Sequence, residues 1–438
     1  MNKRWTGLAS AALIAGLLAG CGGGSESGSG SPEASGSQGA ESPSQAAGEI
    51  QEVRVFHFMV DIAEPFNAMT AEFEKEHPDI KIVNDIVGGS ADWKSDLKTR
   101  FAAGQGPDIF AVDGPSMLSL WQSRIVDLSG EPWAEHALPF AKEAATLDGK
   151  LFGMPYNLQG FGLVYNKDLF EKAGITELPK TLSELEAAAE KLQAAGITPF
   201  GNGYGEWWIL GMQQMNIAFA QQDDPDQFLQ DLTTGTAAMK GNPIFEDYKK
   251  FLDLTLKYGY ANPLTTDYKT QETLLANGEV AMIHQGDWAE MPLRQMNPDL
   301  GNIGLMPVPI NDDAERMDRL EVGTPMFWAV NKDSKAIEAA KTFMDWMVSS
   351  ETGKKYLAKD FQFIPAYDNI PADGLSSLSQ EVVKYSQAGK TVPWSFNQWP
   401  DGTYNEFYAL VQGYVANKLD YDLVLEKMDE AWKNLSQK

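Results

Sequence analysis

The sequence has little cysteine, little histidine and a deficit of positive charge. One Cys and 4 His occur among 438 residues, and 35 Lys plus Arg stand against 61 Asp plus Glu, for a formal net charge of −26. A single cysteine excludes a disulfide framework, a Cys-based zinc site and an iron–sulfur cluster. Nucleic acids and anionic membrane surfaces are disfavoured as partners, because both are bound chiefly through Lys and Arg.

Metal-binding motifs are also lacking. The four histidines are scattered and form no H-E-x-x-H pair, and no D-x-[DN]-x-[DN]-G loop occurs. We therefore expect neither a metal site nor a cofactor. Aromatic residues, by contrast, are plentiful, with 12 Trp, 14 Tyr and 21 Phe. An acidic, Trp-rich chain of this length suits two or three domains and a neutral polar ligand, although composition alone does not name one.

The first twenty residues predict export. Lys3 and Arg4 precede an apolar run at residues 8–19, which is too short to span a bilayer as a helix and is typical of a signal peptide. The run ends in the sequence LAGC at residues 18–21, which resembles a bacterial lipobox, in which the cysteine is diacylated and becomes the new N-terminus. An ordinary signal peptide with an incidental Cys21 is the alternative.

A flexible tether is expected after the lipidated cysteine. Of the 27 residues 22–48, 16 are Gly or Ser and none is aromatic. Such a stretch cannot bury enough apolar surface to fold. We predict a signal peptide at 1–20, then Cys21 and a tether to residue 48 that anchor the folded part to the cell membrane, outside the cytoplasm.

The folded part alternates strands with helices. Runs rich in β-branched and aromatic residues predict strands at 52–58, 80–87 and 108–113, separated by helices that begin near Pro65 and Asp92. This order predicts an α/β fold with a parallel sheet and right-handed crossovers. Ligands bind beyond the carboxyl ends of the strands in such sheets, here after Phe58 and Val112.

A second α/β lobe is predicted past residue 149. Strands are expected at 161–166, 198–201, 279–284 and 325–330. The sequence TLSE at 181–184 is a capping box that opens a helix, and the chain is helical from about Thr403. The Gly-rich turn at 201–205 departs from a dinucleotide-binding loop in the spacing of its glycines.

Local signatures then occur in a fixed order along the chain. They are GPDI at 106–109, GKLFGMPY at 149–156, LVYNKDLF at 163–170, GEVAM at 278–282 followed by GDWA at 286–289, and WAVN at 328–331. Together they resemble the family 1 extracellular solute-binding proteins, which are carbohydrate receptors of bacterial ABC importers related to maltose-binding protein. The resemblance extends from about Val53 to the C-terminus.

The resemblance implies a periplasmic-binding-protein-like fold, in which two α/β lobes joined by hinge segments close on a sugar. The first lobe would comprise 49–158 plus about 305–365, and the second 159–304 plus about 366–438. The crossings would lie near 156–160, 304–307 and Pro365. The protein would act as a monomer, without enzymatic activity, and its partners would be a carbohydrate and the membrane-embedded permease.

Candidate ligand-binding residues combine acids and amides, which bind sugar hydroxyls, with tryptophans, which cover sugar faces. If the chain is aligned with this family by its motifs, the resemblance implies that the following residues lie at the cleft: Asp61, Asp113, Gln159, Glu206, Trp207, Trp208, Asp287 and Trp288. Gln159 stands where maltose-type relatives carry a carboxylate, which leaves the exact sugar open. His57, Trp394 and Trp399 are further candidates, each as compatible with a surface or packing role. Asp61, Asp113 and Glu206 could equally serve as acids at helix N-termini.

Two other functions fit the same features. A secreted glycoside hydrolase would also be acidic and Trp-rich, and would need two carboxylates about 5–10 Å apart at the scissile bond. A sugar-sensing receptor or adhesin on the same fold would bind sugar without delivering it to a permease. The ordered motifs and the lipobox favour the transport receptor.

Overall fold

A computed structural model describes residues 50–88, 91–372 and 374–437. These residues belong to a single compact unit. The predicted signal peptide, Cys21 and the tether lie outside the described residues.

The described chain alternates short strands with helices. The strands are β1 Gln51–His57, β2 Ile80–Ile86, β3 Ile109–Val112, β4 Thr146–Leu147, β5 Lys150–Leu151, β6 Met154–Pro155, β7 Gln159–Asn166, β8 Thr198–Gly201, β9 Val280–Gly286, β10 Ile303–Met306, β11 Leu320–Gly323, β12 Phe327–Val330 and β13 Thr391–Pro393. The helices are α1 Ala63–Glu76, α2 Trp93–Ala102, α3 Pro115–Trp121, α4 Pro139–Ala144, α5 Lys167–Lys172, α6 Leu182–Ala194, α7 Met215–Ala220, α8 Pro225–Thr234, α9 Pro243–Lys257, α10 Tyr268–Ala276, α11 Glu290–Met296, α12 Ala314–Met317, α13 Ile337–Ser349, α14 Glu351–Lys355, α15 Ser377–Gln387, α16 Thr403–Val415 and α17 Tyr421–Leu435. π-Helical segments occur at Ile209–Gln214 and Tyr356–Asp360.

Two mixed sheets organise the molecule, which confirms the predicted α/β class. The first has the order β2-β1-β3-β12-β6, with β1, β2 and β3 parallel and β12 antiparallel to β3. The second has the order β13-β11-β7-β9-β8, and β10 also pairs with β7. Antiparallel β7 and β9 are joined by five residue pairs, from Phe161 opposite Gly286 to Tyr165 opposite Met282.

Each sheet has its own apolar core, and we call the two parts of the molecule the first and second halves. The first core packs β1, β3 and β12 against α1 and α13, around buried Phe66, Trp328 and Phe343. The second packs β7 and β9 against α6, α9, α16 and α17, around buried Phe219 and Trp432. The predicted TLSE motif opens α6: Thr181 Oγ1 accepts a hydrogen bond from the Glu184 amide at 3.1 Å.

The chain passes between the halves at three places. The first crossing lies between Pro155 of β6 and Gln159 of β7, within the expected range of 156–160. The second lies between Gly323 of β11 and Phe327 of β12, and the expected position near 304–307 is wrong because β10 and β11 both pair with β7 in the second sheet.

The third crossing also differs from the expected position at Pro365. Ala366, Tyr367 and Ile370 belong to the first core, whereas Leu375 and Leu378 pack in the second half. The chain therefore returns between Ile370 and Leu375. Correspondingly, residues 305–323 belong with the second half and 366–370 with the first, because their apolar side chains fill those cores.

Candidate functional site

A cleft with an empty volume of about 1180 Å³ lies between the two halves. Its walls come from the segments that follow β1, β2 and β3 in the first half and from the segments that follow β8 and β9 in the second, with residues of the crossings at its base. The position agrees with the rule that α/β sheets bind ligands beyond the carboxyl ends of their strands.

Aromatic rings dominate the cleft walls. Of the candidates from the sequence, Trp207, Trp208, Trp288 and Trp394 all line the cleft. The first two follow the Gly-rich turn after β8, and both face the cleft although they are adjacent in the chain. Flat apolar faces suit a ligand that has apolar faces of its own.

Further aromatic residues of the walls were missed by the sequence reasoning. Phe58 and Trp93 are stacked with ring centroids 4.9 Å apart, and Tyr268 packs edge-on against Trp208 at 5.2 Å. Trp93 is the first residue of α2, immediately after the Asp92 cap. That position at the end of a parallel strand and the start of a helix was the signal that could have identified it.

A chain of buried amides fixes the Trp288 ring. The indole Nε1–H donates to Gln285 Oε1 at 2.9 Å, Gln285 Nε2 donates to Gln271 Oε1 at 2.8 Å, and Gln271 Nε2 donates to the Gly201 carbonyl at 2.7 Å. Gly286 is also required, because a Cβ at this position would lie 2.1 Å from the Trp288 ring. The indole is thus held in one orientation before any ligand binds.

Three polar atoms of cleft-lining side chains have no hydrogen-bond partner among the described residues. They are the indole nitrogens of Trp207 and Trp394, which are donors, and Oε1 of Gln213, which is an acceptor. Gln213 lies in the π-helical segment after the two tryptophans, and π-helical turns are frequent at functional sites. All three atoms are buried in the closed molecule, so a ligand hydroxyl would reach them only after the neighbouring side chains or the two halves move.

Asp61 lines the cleft from the short helix after β1. Tyr268 Oη of the second half donates to Asp61 Oδ1 at 3.4 Å. Burial raises the pKa of Asp61 to about 6, against the opposing effects of the Tyr268 hydroxyl and Lys269. Burial also raises the pKa of nearby Glu272 to about 8, with a smaller contribution from the Asp61 charge. Two carboxyl groups with raised pKa values, those of Asp61 and Glu272, therefore lie near each other where the halves are in contact.

Asp113 lines the cleft after β3, where it forms an ion pair with Lys94 at 2.5 Å. The Lys94 ammonium lies 4.1 Å from the centre of the Tyr404 ring, which belongs to the second half. Gly114 lets the two halves approach closely at this edge of the cleft, because a Cβ there would lie 2.7 Å from the Asn397 Cβ of the second half. These contacts, together with the surface ion pair Lys98–Asp401, show the molecule with its halves closed on each other.

Asp287 and Gln159 lie at the base of the cleft. Asp287 Oδ1 accepts from the Gly160 amide at 2.9 Å, and Oδ2 accepts from Ser379 Oγ at 3.0 Å. Burial raises the pKa of Asp287 to about 7. The Asp287 carboxyl group thus connects the beginning of β7, just after the first crossing, to α15. Gln159 contributes a buried amide to the cleft.

Three candidates do not line the cleft. His57 is fully buried beneath it: Nδ1 accepts from the Met59 amide at 3.3 Å, so Nε2 donates to Asn84 Oδ1 at 2.9 Å, and burial lowers its pKa to about 4. Glu206 Oε1 accepts from the amide of Tyr268, the first residue of α10, at 3.1 Å, which is the helix-terminal role considered as its alternative. Trp399 lies in the second core, 4.5 Å from Phe219.

Comparison with known proteins is consistent with this geometry. Residues 60–354 match the family model described as bacterial extracellular solute-binding protein. The chain belongs to this family. The match covers most of the two sheets and includes the first two crossings. The family is one of solute-binding proteins that act outside the cytoplasm, not a family of enzymes.

Individual relatives are distant in sequence. The maltotriose-binding protein of Pyrococcus abyssi is 25% identical over 382 residues, covering 84% of this chain and 79% of the relative. The melibiose/raffinose/stachyose-binding protein MelE of Bacillus subtilis is 23% identical over 396 residues, covering 85% and 86%. The structure of the solute-binding protein RafE in complex with raffinose is similar in fold, with a TM-score of 0.76 at 24% identity, covering 88% of this chain and 100% of that one.

Residues 50–437, leaving out 89, 90 and 373, contain no group of three or more His, Cys, Asp or Glu side chains that could hold a metal ion. None of the helices described in the structure is long and apolar enough to cross a membrane.

Proposed function

We propose that this protein captures a carbohydrate in the cleft and delivers it to the permease of an ABC importer. The observation that carries the proposal is the combination of four cleft-lining tryptophans with the carboxyl and amide groups of Asp61, Asp113 and Gln159 in the same cleft. A sugar has C–H groups on its faces and hydroxyls around its edge, and this combination matches both. The sugar names of the relatives support the same ligand class.

Capture works through closure of the two halves. Contacts such as Tyr268 to Asp61 and Lys94 to Tyr404 exist only when the halves meet. A ligand promotes closure only as far as it binds the closed form better, and a shift from 1:99 to 99:1 requires about 5.5 kcal/mol of differential binding. Covering aromatic surface contributes about 25 cal/mol per Å², so two or three partly covered indoles plus hydrogen bonds are sufficient.

A lipid anchor would hold the receptor at its permease. Acylated Cys21 would retain the protein on the outer face of the cell membrane, since two acyl chains give stable anchoring. The tether of 27 residues has an r.m.s. reach of about 5–6 Å × √27, or roughly 30 Å. We propose that the protein works as a monomer, which leaves both halves free to contact the permease.

Hydrolysis is the less favoured function for a specific reason. A glycosidase needs one carboxyl group as acid and a second as base or nucleophile. In the cleft, Asp113 is paired with Lys94, and both oxygens of Asp287 accept hydrogen bonds that brace the crossing. Asp61 accepts only a long hydrogen bond from Tyr268, but it is one carboxyl group, and a glycosidase needs two.

The test uses residues 49–438 with melibiose, raffinose, stachyose and maltotriose. Melting temperature and Trp fluorescence report binding, and chromatography of the recovered sugar reports cleavage. A ligand at a hundred times its Kd stabilises by about 2.7 kcal/mol, which raises the melting temperature by several degrees. We expect at least one saturable responder that is recovered intact. A cleaved sugar would support the hydrolase, and no response to any sugar would contradict carbohydrate binding. Loss of uptake on deletion would distinguish transport from a sensing or adhesive role.

A further inference from the structure

The charges that face the cleft are all of one sign. Among the described residues that line it are three carboxyl groups, those of Asp61, Asp113 and Asp287, and no Lys, Arg or His. A ligand held between the closed halves is largely removed from water. Any charge that it carries must then be compensated by the protein walls.

The three carboxyl groups differ in how they are compensated. Asp113 has its own cation, Lys94, at 2.5 Å. Asp287 accepts a backbone N–H and a hydroxyl. Asp61 has only the Tyr268 hydroxyl at 3.4 Å, and the nearest basic residue acting on it is Lys269, which is exposed on α10.

The wall behind Asp61 adds no compensation. Glu272 of α10 is 1% exposed, and its Oε1 has no hydrogen-bond partner among the described residues. Tyr268, which separates the two acids, contributes a hydroxyl but no charge. At this end of the cleft an acidic group on a ligand would therefore meet the Asp61 carboxylate, and none of the described residues that line the cleft supplies a cation. Like charges brought together out of water repel strongly.

We propose that the cleft selects against carbohydrates that carry acidic groups, and that Asp61 is the residue that determines this specificity. Uronic acids and sugar phosphates would be rejected, whereas sugars of the same shape without the acidic group would be accepted. The inference rests on the proposed function and goes beyond it, since carbohydrate binding by itself does not decide the charge of the ligand.

The experiment compares ligands matched in shape. The parent sugar is whichever of raffinose or maltotriose binds, and the probes are its uronic acid, with one primary alcohol oxidised to a carboxylate, and the methyl ester of that acid. Calorimetric titration at pH 7.5 gives the Kd of each probe for the wild-type protein, Asp61→Asn and Glu351→Gln. The asparagine can still accept from Tyr268. Glu351, with a side chain 98% exposed and outside the cleft, controls for the loss of one charge.

We expect the acid to bind wild type and Glu351→Gln at least tenfold more weakly than the ester, and Asp61→Asn to reduce this ratio below threefold. A second measurement needs no variant: at pH 5 wild-type Asp61 is largely protonated, and the ratio should fall there as well. Tyr268, Glu272 and Lys269 are the other titratable groups facing Asp61, and Lys269 keeps its charge at both pH values.

The outcomes separate this inference from the proposed function. Equal affinity of wild type for acid and ester would overturn the inference and leave carbohydrate binding intact. If the ratio of the Kd of the acid to the Kd of the ester is unchanged in Asp61→Asn and at pH 5, Asp61 does not determine this specificity. If neither the parent sugar nor the ester binds, the proposed function itself fails.

Discussion

Replacing Trp288 by Ala tests whether the fixed indole forms part of the sugar site. The ring is partly buried already, so a ligand can cover only the remaining face. Covering about 50–90 Å² of it at about 25 cal/mol per Å² contributes roughly 1.3–2.2 kcal/mol. Since tenfold in Kd corresponds to about 1.4 kcal/mol, we expect affinity to fall about ten- to fortyfold.

The same substitution leaves Gln285 Oε1 without its indole donor in a fully buried position. That loss costs stability by about 1–3 kcal/mol, so denaturant unfolding must accompany the calorimetric titration to show that the variant is folded. Trp346→Phe is the control: its indole donates to Glu76 at 2.9 Å in the first half, away from the cleft. It should lose stability but keep its Kd. A folded Trp288→Ala protein with a Kd within twofold of wild type would refute the reasoning.

Three further predictions follow from the buried acids and from one packing residue. Asp61 and Glu272 have pKa values of about 6 and about 8 in the closed form, above their usual values near 4, so the closed form binds more protons and closure is favoured as pH falls. The Kd for a neutral sugar should therefore decrease from pH 8.5 to pH 5.5, and an increase would contradict this assignment. Ser379→Ala removes a donor to buried Asp287 and should lower the free energy of unfolding in urea by about 1–3 kcal/mol. An unchanged free energy of unfolding would show that the hydrogen bond from Ser379 to Asp287 does not stabilise the fold. Trp399→Ala should lower the free energy of unfolding by about 3–5 kcal/mol in the same assay, because Trp399 packs in the second core. The folded fraction should bind sugar normally, and a loss of affinity without a loss of stability would show that Trp399 belongs to the binding site.

Much of the first sheet could be predicted from sequence, because each of its parallel strands is a short run that contains Val, Ile or Phe and the first two are followed by recognisable helix starts. The strand predicted at 108–113 contains β3, which is one residue shorter at each end, and the Asp92 cap opens α2 as expected. Once the parallel order is known, residues that follow the strands must share one edge of the sheet. That argument brings Asp61 and Asp113 to the cleft, as the structure shows.

The hinges and several wall residues could not be predicted in this way. Strands β10 and β11 are four residues each, and nothing in such short segments specifies which sheet they join. Gln213 lies in a π-helical segment, where the usual helical period misplaces side chains. His57 ends a strand, but its ring turns into the first core beside Phe66 and Trp328, which depends on contacts distant in sequence.

The most direct test of the account is a crystal structure of residues 49–438 with the sugar that responds in the binding assay. We expect one sugar molecule between the closed halves, with its faces against Trp288 and the Trp207–Trp208 pair and its hydroxyls bonded to Asp61 and Gln159. A sugar bound outside the cleft, or inside it without contact to these indoles, would contradict the account.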